Sequence, residues 1–222
     1  MLLFKNINYL LRQRGALPLS AEVFLSTDPD SLWEIVSELN QPFELLNTLD
    51  YEVRDRLLSE TDIKLAVLDV DGVFTDGGMY YTSSGEEIKK FNVKDGMAIT
   101  RAVKSGLEVG IISAASRSEA VELRAEILGI KRVYVGKKPK IEVLESWLYE
   151  TGLGFENVSY IGDDVNDTEL LKKCGLTAAP ADAAAEAKRA ANVVLRSAGG
   201  RGCIREFFDN YLFPGSSDDM EK

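Results

Sequence analysis

Hydrophobic and polar positions fall into two regimes along this chain. From Lys64 onward, short apolar runs alternate with stretches of helical period, and Lys64–Asp69, Val109–Ser113, Arg132–Val135 and Val158–Ile161 read as strands. Alternating strand and helix implies right-handed crossovers and a mainly parallel sheet covered on both faces. Ligands of such sheets sit at the carboxyl ends of the strands. One segment breaks the rhythm: Gly78–Thr82 and Glu87–Phe91 flank Ser83-Ser84-Gly85, the pattern of a β-hairpin. Residues 1–60 show helical periods around Asp30–Leu39 and Phe43–Leu58 and little sign of a strand, which predicts a separate helical appendage. Ser31 with Glu34 forms a capping-box pattern and predicts a helix start there. The main domain is expected over 61–214. The tail Gly215–Lys222 is small, polar and acidic and reads as disordered.

At 222 residues and 45% hydrophobic content, the chain can bury a sizeable core. A formal net charge of -10 argues against nucleic acid or an anionic membrane as partner, since neither polyanion gains from an acidic surface. With no histidine, Ser-His-Asp triads and the usual zinc sites are excluded, and chemistry must run on carboxylates, Lys, Ser or Thr. Two cysteines, Cys174 and Cys203, make no disulfide framework and fit a reducing cytoplasm. No apolar run is long enough to span a membrane, and the N-terminus lacks a signal-peptide core. Its basic start, with Lys5, Arg12 and Arg14, has some likeness to a transit sequence, but an ordinary helix is the expectation.

The run Leu65 to Gly77 places Asp69 and Asp71 immediately after a buried-looking strand. Burying carboxylates is costly without compensation, which a cation such as Mg²⁺ supplies. An isolated Asp-x-Asp is also the ordinary polar end of a strand. A second acidic strand end follows in Tyr160-Ile161-Gly162-Asp163-Asp164-Val165-Asn166-Asp167, where the acids could equally cap the helix entered near Thr168. Two carboxylate-bearing strand ends can meet over one cation. Ser113, ending a strand, and Lys140, opening a helix, are the donors a phosphate oxygen needs at such a crevice, although each alone is an unremarkable loop or surface residue.

Taken in order, these four pieces resemble the motifs of the haloacid dehalogenase-like hydrolases: Asp69-x-Asp71-Gly72, Ser113, Lys140 and Gly162-Asp163-Asp164-x-x-Asp167, over about Lys64 to Leu212. The stretches Asp71 to Gly78, Phe91-Asn92-Val93-Lys94-Asp95-Gly96 and Gly199-Gly200-Arg201-Gly202 are most similar to phosphatases of 3-deoxy-octulosonate 8-phosphate and of nine-carbon sialic-acid-type 9-phosphates. The resemblance implies a Rossmann-like α/β core with a minimal, hairpin-only cap. It also implies a phosphomonoesterase in which Asp69 is the nucleophile of an aspartyl-phosphate intermediate and Asp71 the general acid and base. Mg²⁺ would be held by the Asp69 side chain, the Asp71 backbone carbonyl and the Asp163 side chain. Phosphate would be bound by Ser113, Ala114, Lys140, Gly72 and Thr75, with Arg201 or Lys94 reaching a sugar-acid carboxylate, although Gly199 to Gly202 could also be a plain flexible turn. Asp164 and Asp167 would orient Lys140 or metal-bound water. Minimal-cap relatives close their sites by oligomerising, so a homo-oligomer, as a tetramer, is implied.

One departure touches specificity. Where the close relatives carry Thr-Gly followed by Arg or Glu, this chain has Ser113-Ala114-Ala115-Ser116-Arg117, which leaves the sugar acid open: Arg117 could substitute for the expected Arg, or Ala115 could equally mean that a different substrate is bound. Other readings are a phosphatase for an unrelated metabolite, a mutase, and a non-catalytic module that assembles a sialic-acid activation system. The intact Asp69, Asp71, Lys140 and Asp163 weigh against the last.

Overall fold

The computed structural model describes residues 1–39, 43–116 and 119–213. Arg117 and the tail Gly215–Lys222, both singled out above, lie outside them. The chain divides into two compact units, Met1–Glu60 and Thr61–Lys222.

The first unit is helical: α1 (Leu2–Gln13), α2 (Ala21–Ser26), α3 (Pro29–Glu38), α4 (Phe43–Thr48) and α5 (Tyr51–Glu60). The expected single helix over Phe43–Leu58 is broken at Leu49–Asp50, and the cause is a buried amide. Asn6 Nδ2 donates to the carbonyls of Leu46 and Leu49 at 2.8 and 2.7 Å, and its Oδ1 accepts from Tyr51 N at 3.2 Å. Three backbone groups freed by the break are thereby satisfied. The capping box also moves. Asp28, not Ser31, caps α3, its Oδ1 accepting from Asp30 N and Ser31 N, and Pro29 presets the first helical φ.

The second unit is built on a parallel sheet of order β5-β4-β1-β6-β7-β8, with β1 (Leu65–Leu68), β4 (Glu108–Ser113), β5 (Arg132–Val135), β6 (Val158–Ile161), β7 (Leu176–Ala179) and β8 (Val193–Val194). A separate antiparallel pair, β2 (Tyr80–Tyr81) and β3 (Glu87–Ile88), forms the expected hairpin. Helices α6 (Val93–Lys104), α7 (Glu119–Leu128), α8 (Lys140–Thr151), α9 (Thr168–Lys173), α10 (Ala185–Ala190) and α11 (Cys203–Phe207) complete the unit.

β1 lies between β4 and β6, Leu65 facing Glu108 on one side and Val158 on the other, and all four of its residues are buried. The chain winds outward from β1 through β4 to β5, then returns past β1 to run the other way through β6, β7 and β8. The order therefore reverses at β1, and a crevice opens there at the carboxyl ends of the strands. Val67, Ile112, Val143, Leu144 and Tyr160 share the buried cluster between the sheet and α8, which fixes the height of each strand end.

Candidate active site

Asp69 continues β1 by one ladder bond, its N–H donating to Ile161 O at 3.0 Å. The chain then turns sharply. Thr75 N reaches back to Val70 O at 2.9 Å, and Gly72 adopts φ +93°, a conformation that L side chains rarely take. A Cβ on Gly72 would also overlap the Asp163 carboxylate. This glycine lets the two acidic strand ends approach.

Lys140, the first residue of α8, is 6% exposed. Its Nζ donates to Asp69 Oδ1 at 2.7 Å and to Asp167 Oδ1 at 2.6 Å. Asp167 is wholly buried and spends both its oxygens: Oδ1 also accepts from Tyr160 OH at 2.5 Å, and Oδ2 accepts from the backbone N–H of Asp163 at 3.0 Å and of Asp164 at 3.2 Å. Asp164 does not share this task. Its Oδ1 accepts from Val165 N at 2.8 Å, capping the turn that leads into α9.

Carboxylate oxygens of Asp69, Asp163 and Asp167 lie within 4.8 Å of one another. Burial raises the Asp69 pKa to about 6, with the Asp167 charge adding to the rise and Lys140 opposing it. Burial, followed by the charge of Asp69, raises Asp163 to about 8. Burial alone would lower the Lys140 pKa, but the charges of Asp69 and Asp167 outweigh it and hold it above the usual value. Three crowded acids against one ammonium leave an excess of negative charge that a hard divalent cation would offset. Because Asp167 is already committed to four hydrogen bonds, Asp69 and Asp163 are the side chains that fit as its ligands.

These groups open onto a cleft of about 260 Å³ lined by Asp69, Asp71, Ser113, Ala114, Ala115, Lys140, Asp163, Asp164 and Asn166. Ser113 ends β4 and its Oγ accepts from Ala115 N at 3.2 Å, which curls the following loop over the cleft floor. Two expected phosphate ligands stand elsewhere. Thr75 is buried and its hydroxyl bonds Val70 O and Asp71 Oδ1, each at 3.3 Å, and accepts from Gly77 N, so it braces the turn. Arg201 is exposed and outside the cleft lining. The Asp76 carboxyl is held low first by its hydrogen bond from Lys90, and the charge of Arg201 adds to this. Lys94 is likewise exposed and outside the lining.

The Gly199 to Gly202 stretch is seated on the turn that follows β1. Gly200 N donates to Val73 O at 2.9 Å, and a Cβ at Gly199 would overlap the carbonyl of Gly72. Asp95 anchors its far end by accepting from Gly202 N at 3.1 Å and Arg205 N at 2.8 Å.

Sequence reasoning missed Asn166, Tyr160 and Lys89. Lys89 Nζ donates to Asp71 Oδ1 at 2.6 Å and pairs with Glu87 Oε1 at 2.8 Å. The Glu87-Ile88-Lys89 alternation hinted that Glu87 and Lys89 share a face of the hairpin, but nothing in the sequence ties that face to Asp71.

A crevice at the reversal point of a parallel sheet, floored by paired aspartates and a buried lysine, has the charges and donors to handle a phosphate ester. The family model of the haloacid dehalogenase-like hydrolases matches residues 129–206. The chain is 40% identical over 168 residues, 76% of its length and 89% of the relative's, to 3-deoxy-D-manno-octulosonate 8-phosphate phosphatase KdsC of Escherichia coli. Among solved structures, a probable YrbI family phosphatase from Pseudomonas syringae is 42% identical with a TM-score of 0.68, covering 71% of this chain and 90% of that one. The 3-deoxy-D-manno-octulosonate 8-phosphate phosphatase of Moraxella catarrhalis, in complex with magnesium, phosphate and KDO, is 29% identical with a TM-score of 0.68, covering 72% and 90%. The chain belongs to the haloacid dehalogenase-like hydrolases. Within them it is a phosphatase.

Proposed function

We propose that this phosphatase hydrolyses the phosphate ester of an eight- or nine-carbon 2-keto-3-deoxy sugar acid, with 3-deoxy-D-manno-octulosonate 8-phosphate as the first candidate. The observation that carries the chemistry is the buried Lys140 bridge, which holds Asp69 by one oxygen at the cleft floor while Asp71 stands at its side. The 40% identity to an enzyme named for that sugar acid supports the substrate.

Asp69 attacks phosphorus and becomes the aspartyl phosphate, and Lys140 steadies both the nucleophile and the phosphoryl oxygens. Ser113 Oγ and the backbone N–H of Ala114 supply further donors to those oxygens. Asp71 gives a proton to the departing alkoxide and, as its conjugate base, takes one from the hydrolytic water. Asp69, Asp163 and the Asp71 carbonyl would hold Mg²⁺, which would supply the positive charge that lets two anions meet. Asp167 sets the positions of Lys140 and of the Asp163–Asp164 backbone.

The same reading includes a homo-oligomer, as a tetramer, in which a second copy covers the hairpin. Met79, Tyr80, Tyr81 and Ile88 are all at least half exposed there, a cluster of large apolar side chains that a lone protomer would leave in water. Sedimentation should give a mass above one chain, and Tyr81→Lys should lower it. A reducing cytoplasm is the setting we assign, and Cys174 and Cys203, both buried and unpaired, support it.

The deciding assay is phosphate release from a panel of sugar-acid and simple sugar phosphates with Mg²⁺ or EDTA, for the native chain and Asp69→Asn. Release confined to the keto-deoxy acid phosphates and lost in EDTA and in the variant is expected. Equal release from unrelated phosphates would retire the substrate class, and activity in Asp69→Asn would retire the nucleophile.

A further inference from the structure

We infer that Lys89, carried by the hairpin, is a positioning residue that fixes the Asp71 carboxyl for proton transfer to the leaving group. The inference rests on the acid–base role given to Asp71 above. Lys89 stands out from its neighbours on the hairpin. Ile88 is exposed and Lys90 half exposed, whereas only 4% of the Lys89 side chain and 9% of the Glu87 side chain meet solvent. An ammonium is not buried without partners. Here the partners are Asp71 Oδ1 at 2.6 Å and Glu87 Oε1 at 2.8 Å, so Glu87 holds the lysine while the lysine holds the aspartate.

The consequence is an asymmetric carboxyl. Among the described residues, every hydrogen bond on Asp71 falls on Oδ1, from Lys89 Nζ and from Thr75 Oγ1 at 3.3 Å. Oδ2 accepts no hydrogen bond among the described residues, and Asp71 lines the cleft. The terminal torsion of an aspartate is broad, so an unanchored carboxyl would present its oxygens over a wide arc. A general acid must instead hold one oxygen within hydrogen-bond reach of the atom it protonates. Two donors on Oδ1 restrict that arc. In the step concerned, the Asp69–phosphorus bond forms, the bond from phosphorus to the alkyl oxygen breaks, and the proton on Asp71 Oδ2 passes to that oxygen.

Leaving groups separate this role from a purely structural one. An alkoxide needs the proton and p-nitrophenolate does not, and kcat/KM reports the half-reaction in which either departs. The experiment measures kcat/KM of the full-length magnesium-loaded enzyme on 3-deoxy-D-manno-octulosonate 8-phosphate, on glycerol 3-phosphate, which carries no carboxylate, and on p-nitrophenyl phosphate. The variants are Lys89→Met, Lys89→Arg and Asp71→Asn, with Lys89→Gln as the milder change should the methionine variant not fold. Loss of the anchor should lower kcat/KM on both alkyl phosphates by about 10²-fold, the cost of a misplaced catalytic group, with KM little changed and p-nitrophenyl phosphate nearly unaffected. Lys89→Arg should recover most of the loss, and Asp71→Asn should show the same split more strongly. An equal fall on all three substrates in the Lys89 variants, with the split intact in Asp71→Asn, would reduce Lys89 to a staple of the hairpin. A rise in KM confined to the carboxylate-bearing substrate would make it a substrate ligand instead and overturn the inference. If Asp71→Asn shows no split, the acid–base reading itself falls, whatever Lys89 does.

Discussion

Asp167 occupies both its oxygens with four donors while completely buried, so a change at this one side chain reaches Lys140, Tyr160 and the Asp163–Asp164 backbone together. Asp167→Asn should cost about 3 kcal/mol in urea unfolding, since it turns a donor toward the N–H groups of Asp163 and Asp164 and unbalances Lys140. It should lower phosphate release without abolishing it, because Asp69 keeps its own contact with Lys140; full activity would show that the network is ornamental. Gly72 makes the opposite case, a residue acting through what it lacks. Gly72→Ala should fold, carry about 1–3 kcal/mol of backbone strain at a positive φ, and weaken Mg²⁺ binding by titration calorimetry because the methyl displaces Asp163. Unchanged affinity would mean that Asp163 is not a ligand. At this scale the acids and Lys140 were legible because strand-end carboxylates in chain order are a pattern of spacing. Lys89 and Tyr160 were not, since their importance lies in contacts across 18 and 7 residues that no period encodes.

The elements were legible in proportion to the strength of their apolar signal. β1, β4, β5 and β6 are rich in Val, Ile, Leu and Tyr, and the sequence placed them to within a residue or two. β7, Leu176–Ala179, is half alanine, and β8 is only Val193–Val194, so neither carries a signal that competes with helix or loop. Their pairing partners decide them: Leu176 facing Ser159 and Ala178 facing Val193 extend a ladder already present. The break between α4 and α5 escaped for a related reason, because a distant amide, Asn6, imposes it. Asp95 plays the same part between α6 and the five-residue α11, too short to persist alone. Asp95→Asn should lower stability by about 1–3 kcal/mol, since one acceptor oxygen becomes a donor facing an N–H. Hydrogen exchange should quicken around residues 199–205 before it does in β1; uniform exchange would show that Asp95 does not hold that segment.

For the molecule as a whole, every residue lining the cleft lies in the Thr61–Lys222 unit. A chain starting at Thr61 should therefore fold and keep magnesium-dependent phosphate release with kcat/KM near that of the full chain. A fall of about tenfold or more, equivalent to ~1.4 kcal/mol, would show that the helical unit contributes to turnover. That fold is reached only late in the making of the chain. Gly199 and Gly200 press against the carbonyl of Gly72 and the backbone of Thr75 and Asp76, over a hundred residues upstream. A ribosome releases the turn after β1 long before the segment that braces it, so during synthesis the nascent phosphatase carries Asp69 and Asp71 on an unsupported loop. Catalytic competence is then among the last properties the protein acquires, and a polypeptide cut short before Gly199 can hold every motif of the reaction and still lack the backbone that sets them in place.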